Sequence, residues 1–138
     1  MKQVSVFVEN RPGSLMEVTS KLMEAEINIR AVASFDTPEF GILRMVVDRP
    51  EKAKEALTQL GFVVRIYDVV GVELKDEKGN LNRMLSILAE NSINLNYIYS
   101  FVIRDNNAPV MVFSTDDMER AEQILSKAGV KLVSDEEL

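Results

Sequence analysis

Cysteine and histidine are both absent from the 138 residues. Without cysteine there are no disulfides, no thiolate nucleophile and no cysteine-bound zinc, and a cytosolic address becomes the simplest expectation. Without histidine there is no imidazole base, no Ser-His-Asp triad and no histidine-bound metal, which closes much hydrolase and metalloenzyme chemistry. Long apolar runs are missing as well. The opening "MKQVSVFVENRPG" is interrupted by Glu9 and Arg11, too early for a signal segment, and no later run is long enough to span a bilayer. Basic residues are outnumbered, 16 Lys and Arg against 22 Asp and Glu, giving a net charge of −6. Bulk attraction to phosphate backbones or anionic membrane is thereby excluded. Neither a Walker motif nor G-x-G-x-x-G occurs, so nucleotide binding has no support. These absences predict a soluble cytoplasmic protein with no cofactor, no metal, no nucleic-acid partner and no membrane partner.

What the chain does have is 46% hydrophobic residues, enough to bury a core as one domain or as two small ones. It also has an internal repeat. Gly13 aligns with Gly79, Leu15 with Leu81, Leu22 with Leu88, Ile27-Asn28 with Ile93-Asn94 and Ser34-Phe35 with Ser100-Phe101, always 66 residues apart. Later pairs, Ala53 with Ala121, Leu57 with Leu125 and Gly61 with Gly129, are 68 apart, which implies a two-residue insertion near "RDNNAP".

Both copies carry the same series of patterns. Alternating "QVSVFVE" and the matching "VVGVELK" read as strands. The helix that follows has Leu15, Val18, Leu22 and Ala25 at spacings of three and four, and its partner has Leu81, Met84, Leu85 and Leu88; both sets are expected to face inward. Two strands of a hairpin come next, "INIRAVASF" with "GILRMVVD", matched by "INLNYIYSFVI" with "APVMVFS". A second helix starts near Pro50 and stops at Gly61, its partner stopping at Gly129. Short strands "FVVRIYD" and "VKLVS" close the copies. The reading is α+β: two tandem ferredoxin-like βαββαβ units at residues 1–68 and 69–138, each an antiparallel sheet with helices on one face. Units this small have marginal cores, so burial against another unit or chain is expected.

The loop "ENRPGSL" joins the first strand to the first helix. Pro12-Gly13 reads as a tight turn in which glycine admits a close backbone approach, and Ser14 with Glu17 has the spacing of a capping box. The free N–H groups of the first turn, about Ser14 to Glu17, then face outward at the positive end of the helix dipole, where a carboxylate is favoured. In the second copy, "EKGNL" keeps Gly79 and lacks the proline.

This pattern of a strand, Asn10-Arg11-Pro12-Gly13-Ser14-Leu15, an amphipathic helix and Ile27-Asn28-Ile29 resembles the ACT domain family of amino-acid-binding regulatory modules. The match covers nearly the whole chain as two copies, and is fuller in the first; the second keeps Gly79, Leu81 and Ile93-Asn94-Leu95. The resemblance implies a small amino acid bound where two ACT units meet. It implies that Asn10, Pro12, Gly13, Ser14 and Leu15 cradle the ligand while Asn28 helps to position it. By repeat symmetry, Lys78, Gly79, Asn80, Leu81 and Asn94 form a second candidate set. A non-catalytic regulator is implied, with the amino acid as effector and an enzyme of amino-acid metabolism as a partner in trans. Edge strands and exposed faces of such sheets favour further pairing, so a homodimer is expected. The alternatives are a dimerisation module without ligand, a carboxylate enzyme for which no paired acids stand out, and a nucleic-acid binder.

Three further features have plainer readings. Tyr97, Tyr99 and Phe101 alternate along one strand as stacking aromatics do in RNA-binding sheets, but core or sheet packing fits them better at this net charge. "TDDMER" reads as a helix start, with Asp116 or Asp117 as the N-cap. Met16, Met23, Met84 and Met118 read as core or interface filling.

Overall fold

Two four-stranded antiparallel sheets, each with a pair of helices, make up the computed structural model, which describes residues 1–36, 40–103 and 108–137. The first unit contains β1 (Lys2–Glu9), α1 (Ser14–Glu24), β2 (Ile29–Asp36), β3 (Phe40–Val47), α2 (Pro50–Gln59) and β4 (Val63–Asp68). The second contains β5 (Val70–Glu73), α3 (Asn80–Glu90), β6 (Tyr97–Ile103), β7 (Ala108–Ser114), α4 (Met118–Lys127) and β8 (Lys131–Leu132). Strand orders are β2-β3-β1-β4 and β6-β7-β5-β8, the split β-α-β order expected from the repeat. Contacts cluster into Lys2–Tyr67 and a second body from Asp68 onward that includes Met1, whose carbonyl accepts a 2.8 Å bond from the Val69 N–H. The predicted insertion near "RDNNAP" falls largely on residues 104–107, outside the described residues.

Period-two alternation along β1 sends Val4, Val6 and Val8 to the helix-covered face. There they meet Val18 and Leu22 of α1, Leu43, Met45 and Val47 of β3, and Ala53 and Leu57 of α2. Register fixes this layer, because Val4 lies opposite Met45 and Val6 opposite Leu43. The second unit repeats it with Val70, Val72, Met84, Leu88, Phe113, Ala121 and Leu125. A further cluster in the second unit joins Val69, Val110, Val112 and Val133 with Met1, Tyr99 and Phe101. The aromatics of β6 are thus packing residues, and Tyr97 and Tyr99 stack at 6.5 Å.

The inward helix faces differ from the sequence reading. On α1 the buried stripe is Ser14, Val18 and Leu22, and on α3 it holds Met84 and Leu88. Leu15 and Leu81 are each 44% exposed, and Leu85 is exposed as well. The reason is angular: a stripe at i, i+4 and i+8 from Ser14 leaves Leu15 about 100° around the helix. Met84 is buried, whereas Met16 and Met23 stand in the open.

The four α-helices among the described residues end alike. In α1 the N–H of Glu26 bonds Met23 O and that of Ile27 bonds Leu22 O; in α3 Ser92 and Ile93 bond Ala89 O and Leu88 O. The ends of α2 and α4 repeat the pattern with Gly61 and Gly129. This is the Schellman arrangement, whose C′ residue takes a left-handed backbone. Two of the four positions carry non-glycine residues, Glu26 and Ser92, both at φ 58°.

Candidate functional site

The loops ahead of α1 and α3 have the same main chain. In the first, Arg11 N–H donates to Glu9 O (3.0 Å), Ser14 N–H to Arg11 O (3.3 Å) and Glu17 N–H to Gly13 O (3.0 Å). In the second, Glu77 donates to Lys75 O (2.8 Å), Asn80 to Glu77 O (3.3 Å) and Arg83 to Gly79 O (2.8 Å). Gly13 at φ 87° and Gly79 at φ 88° are the N-cap residues. Losing the proline from the second loop therefore leaves its backbone unchanged.

The glycine is required by its left-handed torsion. A Cβ built on Gly13 or Gly79 meets nothing within 4 Å, so close approach of another group, the reason read from the sequence, does not operate inside the unit. The capping box is corrected too. Ser14 is the first helical residue, one place past the cap position held by Gly13, and makes no cap bond; Glu17 instead takes the Arg11 guanidinium at 3.0 and 3.2 Å. Asp117 occupies the N-cap position of α4, also without a side-chain cap bond. Of the outward N–H groups expected at Ser14 to Glu17, those of Ser14 and Glu17 are bonded within the loop. Among the described residues, the Leu15 and Met16 N–H groups have no such partner.

Beside the first loop lies a cleft of about 650 Å³, lined by Phe7 and Glu9 of β1, Arg11, one flank of α1 from the buried Ser14 to the exposed Glu24, and the turn Leu60–Val63. The Ser14 hydroxyl is buried in the cleft wall and has no hydrogen-bond partner among the described residues. Leaving such a group unpaired costs about 1–3 kcal/mol, and a hydroxyl can either donate or accept. Arg11 crosses the rim, its Nε 3.1 Å from Glu9 and its Nη2 3.0 Å from Glu17. Hydrogen bonding to Glu17, then to Glu9, raises the Arg11 pKa above its ordinary value. Phe7, Leu60 and Val63 give the cleft an apolar side that is more than one-third exposed at each residue.

The corresponding cleft of the second unit is smaller, about 350 Å³, and runs from Glu73 through Asn80 and Arg83 to Lys131. Asn80 Nδ2 donates to Lys75 O at 2.9 Å, Arg83 Nη2 to Ala128 O at 3.0 Å and Lys131 Nζ to Glu73 at 2.8 Å.

The candidate residues thus fall into separate places. Asn10, Pro12, Gly13, Ser14 and Leu15 are brought together at one end of α1, and Lys78, Gly79, Asn80 and Leu81 at the corresponding end of α3. Asn28 lies past the other end of α1, whose 11 residues span about 16 Å, with its N–H on Asp48 Oδ1 at 3.0 Å. Asn94 occupies the matching place ahead of β6. Neither asparagine joins its own unit's loop. The cleft walls, Phe7 and Leu60 to Val63, were not singled out from the sequence. One available signal was Phe7 in "QVSVFVE", an apolar residue at the phase of polar Gln3 and Ser5.

Two tandem βαββαβ units, each with a glycine-capped loop at a helix start, define a duplicated ferredoxin-like module. The model of the ACT domain pair matches residues 1–138, and the chain belongs to that family. Among solved structures it is similar to a protein from Bacteroides thetaiotaomicron at 35% identity, covering 99% of this chain and 93% of that one with a TM-score of 0.91. The regulatory subunit of aspartate kinase from Thermus thermophilus, in its ligand-free form, shares the fold at 19% identity, 92% and 91% coverage and a TM-score of 0.65. That from Thermus flavus does so at 18%, 93% and 92%, and 0.61. No curated protein matches. No helix among the described residues is long and apolar enough to cross a membrane.

Proposed function

We propose that this ACT domain pair is a non-catalytic regulatory protein that binds a small amino acid at the loop before α1 and passes the signal to a separate enzyme of amino-acid metabolism. The observation that carries the reading is the buried, unpartnered Ser14 hydroxyl in a cleft wall beside the unpaired Leu15 and Met16 N–H groups. These donors suit an α-carboxylate at the positive end of α1. Glu9 and Glu17 supply acceptors for the ammonium group, and Phe7, Leu60 and Val63 an apolar wall for the side chain.

A helix dipole contributes about 0.3–1 kcal/mol, while micromolar affinity needs about 8. The remainder requires several hydrogen bonds and an enclosing surface over the open cleft. We infer that a second copy of the chain supplies that surface and that the working form is a homodimer. Regulation then follows from linkage: a ligand that favours one arrangement of chains shifts any enzyme that prefers it.

The test is a thermal-shift screen of the purified protein against the twenty amino acids at millimolar concentration, with calorimetry on any that bind. A selective rise in Tm identifies the effector. No rise with any of them, from a folded protein, removes the sensor reading and leaves a dimerisation module, which the exposed Leu15, Met23 and Val32 also suit.

A further inference from the structure

The two loops share a backbone and differ in side chains. At the rim of the first, Arg11 bonds Glu9 and Glu17, an exposed bridge that Lys75 and Glu77 do not repeat in the second; deeper in the clefts the second unit is the more bonded. At the place of Ser14, whose hydroxyl is unpartnered, the second unit has Asn80, whose amide is already bonded to Lys75 O. At the place of Glu17 it has Arg83, which reaches across to Ala128 O at the C-terminus of α4. At the places of Phe7 and Val63, 66 and 68 residues on, it has Glu73 and Lys131, an ion pair at 2.8 Å. Three side-chain bonds thus occupy the polar side chains that border the second cleft, which has about 350 Å³ against 650 Å³. The first-turn N–H groups of Leu81 and Asn82 have no more partners among the described residues than those of Leu15 and Met16.

We propose that each chain binds one amino acid, in the first unit alone, and that Asn80, Arg83 and the Glu73–Lys131 pair turn the second unit's cleft into a closed structural copy. This rests on the amino-acid reading above and adds its location and stoichiometry. A ligand entering the second cleft has to displace the Asn80 bond and the Glu73–Lys131 pair. In the first the Ser14 hydroxyl lacks a partner and the bonds to be displaced, Arg11 with Glu9 and Glu17, lie at the exposed rim, so the two sites differ in affinity despite their common main chain. Ser14 is the discriminating residue. Its hydroxyl makes no bond within the fold, so Ser14→Ala leaves the protein folded and at least as stable while removing one ligand contact.

The experiment uses the full-length protein and the amino acid with the largest shift in the twenty-member screen. Calorimetry gives the number bound per chain, and amide NMR of the labelled protein reports where. The expected result is one per chain, amide shifts centred on Gly13 to Met16, and a roughly ten- to hundredfold loss of affinity in Ser14→Ala at unchanged or raised Tm. Two per chain, or shifts centred on Leu81 and Asn82, overturns the proposal and leaves the sensor reading intact. Unchanged affinity in a folded Ser14→Ala also overturns it. If no amino acid binds at all, both readings fall together.

Discussion

Glu26 is the residue whose replacement should strengthen this fold. It sits at the C′ position of α1 with φ 58°, a backbone that costs an L-residue about 1–2 kcal/mol and glycine little. Its carboxylate also lies at the negative end of the helix dipole, a further unfavourable contribution of about 0.3–1 kcal/mol. Against these stands the extra freedom glycine has in the unfolded chain, about 0.5–1 kcal/mol. Glu26→Gly is therefore expected to stabilise by about 1 kcal/mol. The gain should be clean, because the bond that Glu26 receives from Arg49 Nη2 goes to its main-chain carbonyl, which glycine keeps. Ser92→Gly makes the same change without the charge, so its gain should be smaller by a few tenths of a kcal/mol. Urea unfolding followed by circular dichroism reads both, with an expected midpoint rise of about 0.3–1 M for Glu26→Gly at unchanged slope. Glu26→Ala separates the contributions, since it removes the charge and retains the torsion. A Glu26→Gly midpoint equal to or below the wild type refutes the backbone argument; a gain matched by Glu26→Ala assigns it to charge alone.

Two further outcomes follow from the geometry. Gly79→Ala should lower stability by about 1–2 kcal/mol although its new methyl touches nothing, because φ 88° alone opposes it; an unchanged urea midpoint would contradict this. Lys131 has its pKa raised above the ordinary 10.5 by its hydrogen bond to Glu73, then by that carboxylate's charge. A raised folded pKa means that its contribution is present below 10.5 and fades as pH climbs through the higher value. The difference in Tm between wild type and Lys131→Met should accordingly be small near pH 9, as for any exposed pair, and shrink as pH rises through the raised pKa of Lys131.

The architecture was legible because apolar period and turn residues repeat together. Val4, Val6 and Val8 announce β1 by alternation, and Gly61 and Gly129 announce helix ends. The site was less legible. Ser14 followed by Glu17 has a capping-box pattern, yet the cap is Gly13, and nothing in the local sequence says that a left-handed glycine will take the cap position from the serine. Leu15 looks like a core residue until the helix phase is set by its neighbours Val18 and Leu22. The inequality of the loops was hidden for a different reason: it depends on Asn80 meeting Lys75, Arg83 meeting Ala128 and Glu73 meeting Lys131, the last two across about 45 and 58 residues. The missing proline, the visible difference, has no effect on the backbone.

The common main chain of the two loops makes them interchangeable sockets. Residues 9–17 and 75–83 enter and leave their units through the same backbone hydrogen bonds and the same left-handed glycine, so one stretch can be grafted onto the other without new torsional strain. Duplication has in this sense left the chain with a spare part. One copy is free to keep the architecture while the other changes its chemistry, and an engineer wishing to give the molecule a second specificity has a place to write it that leaves the first untouched.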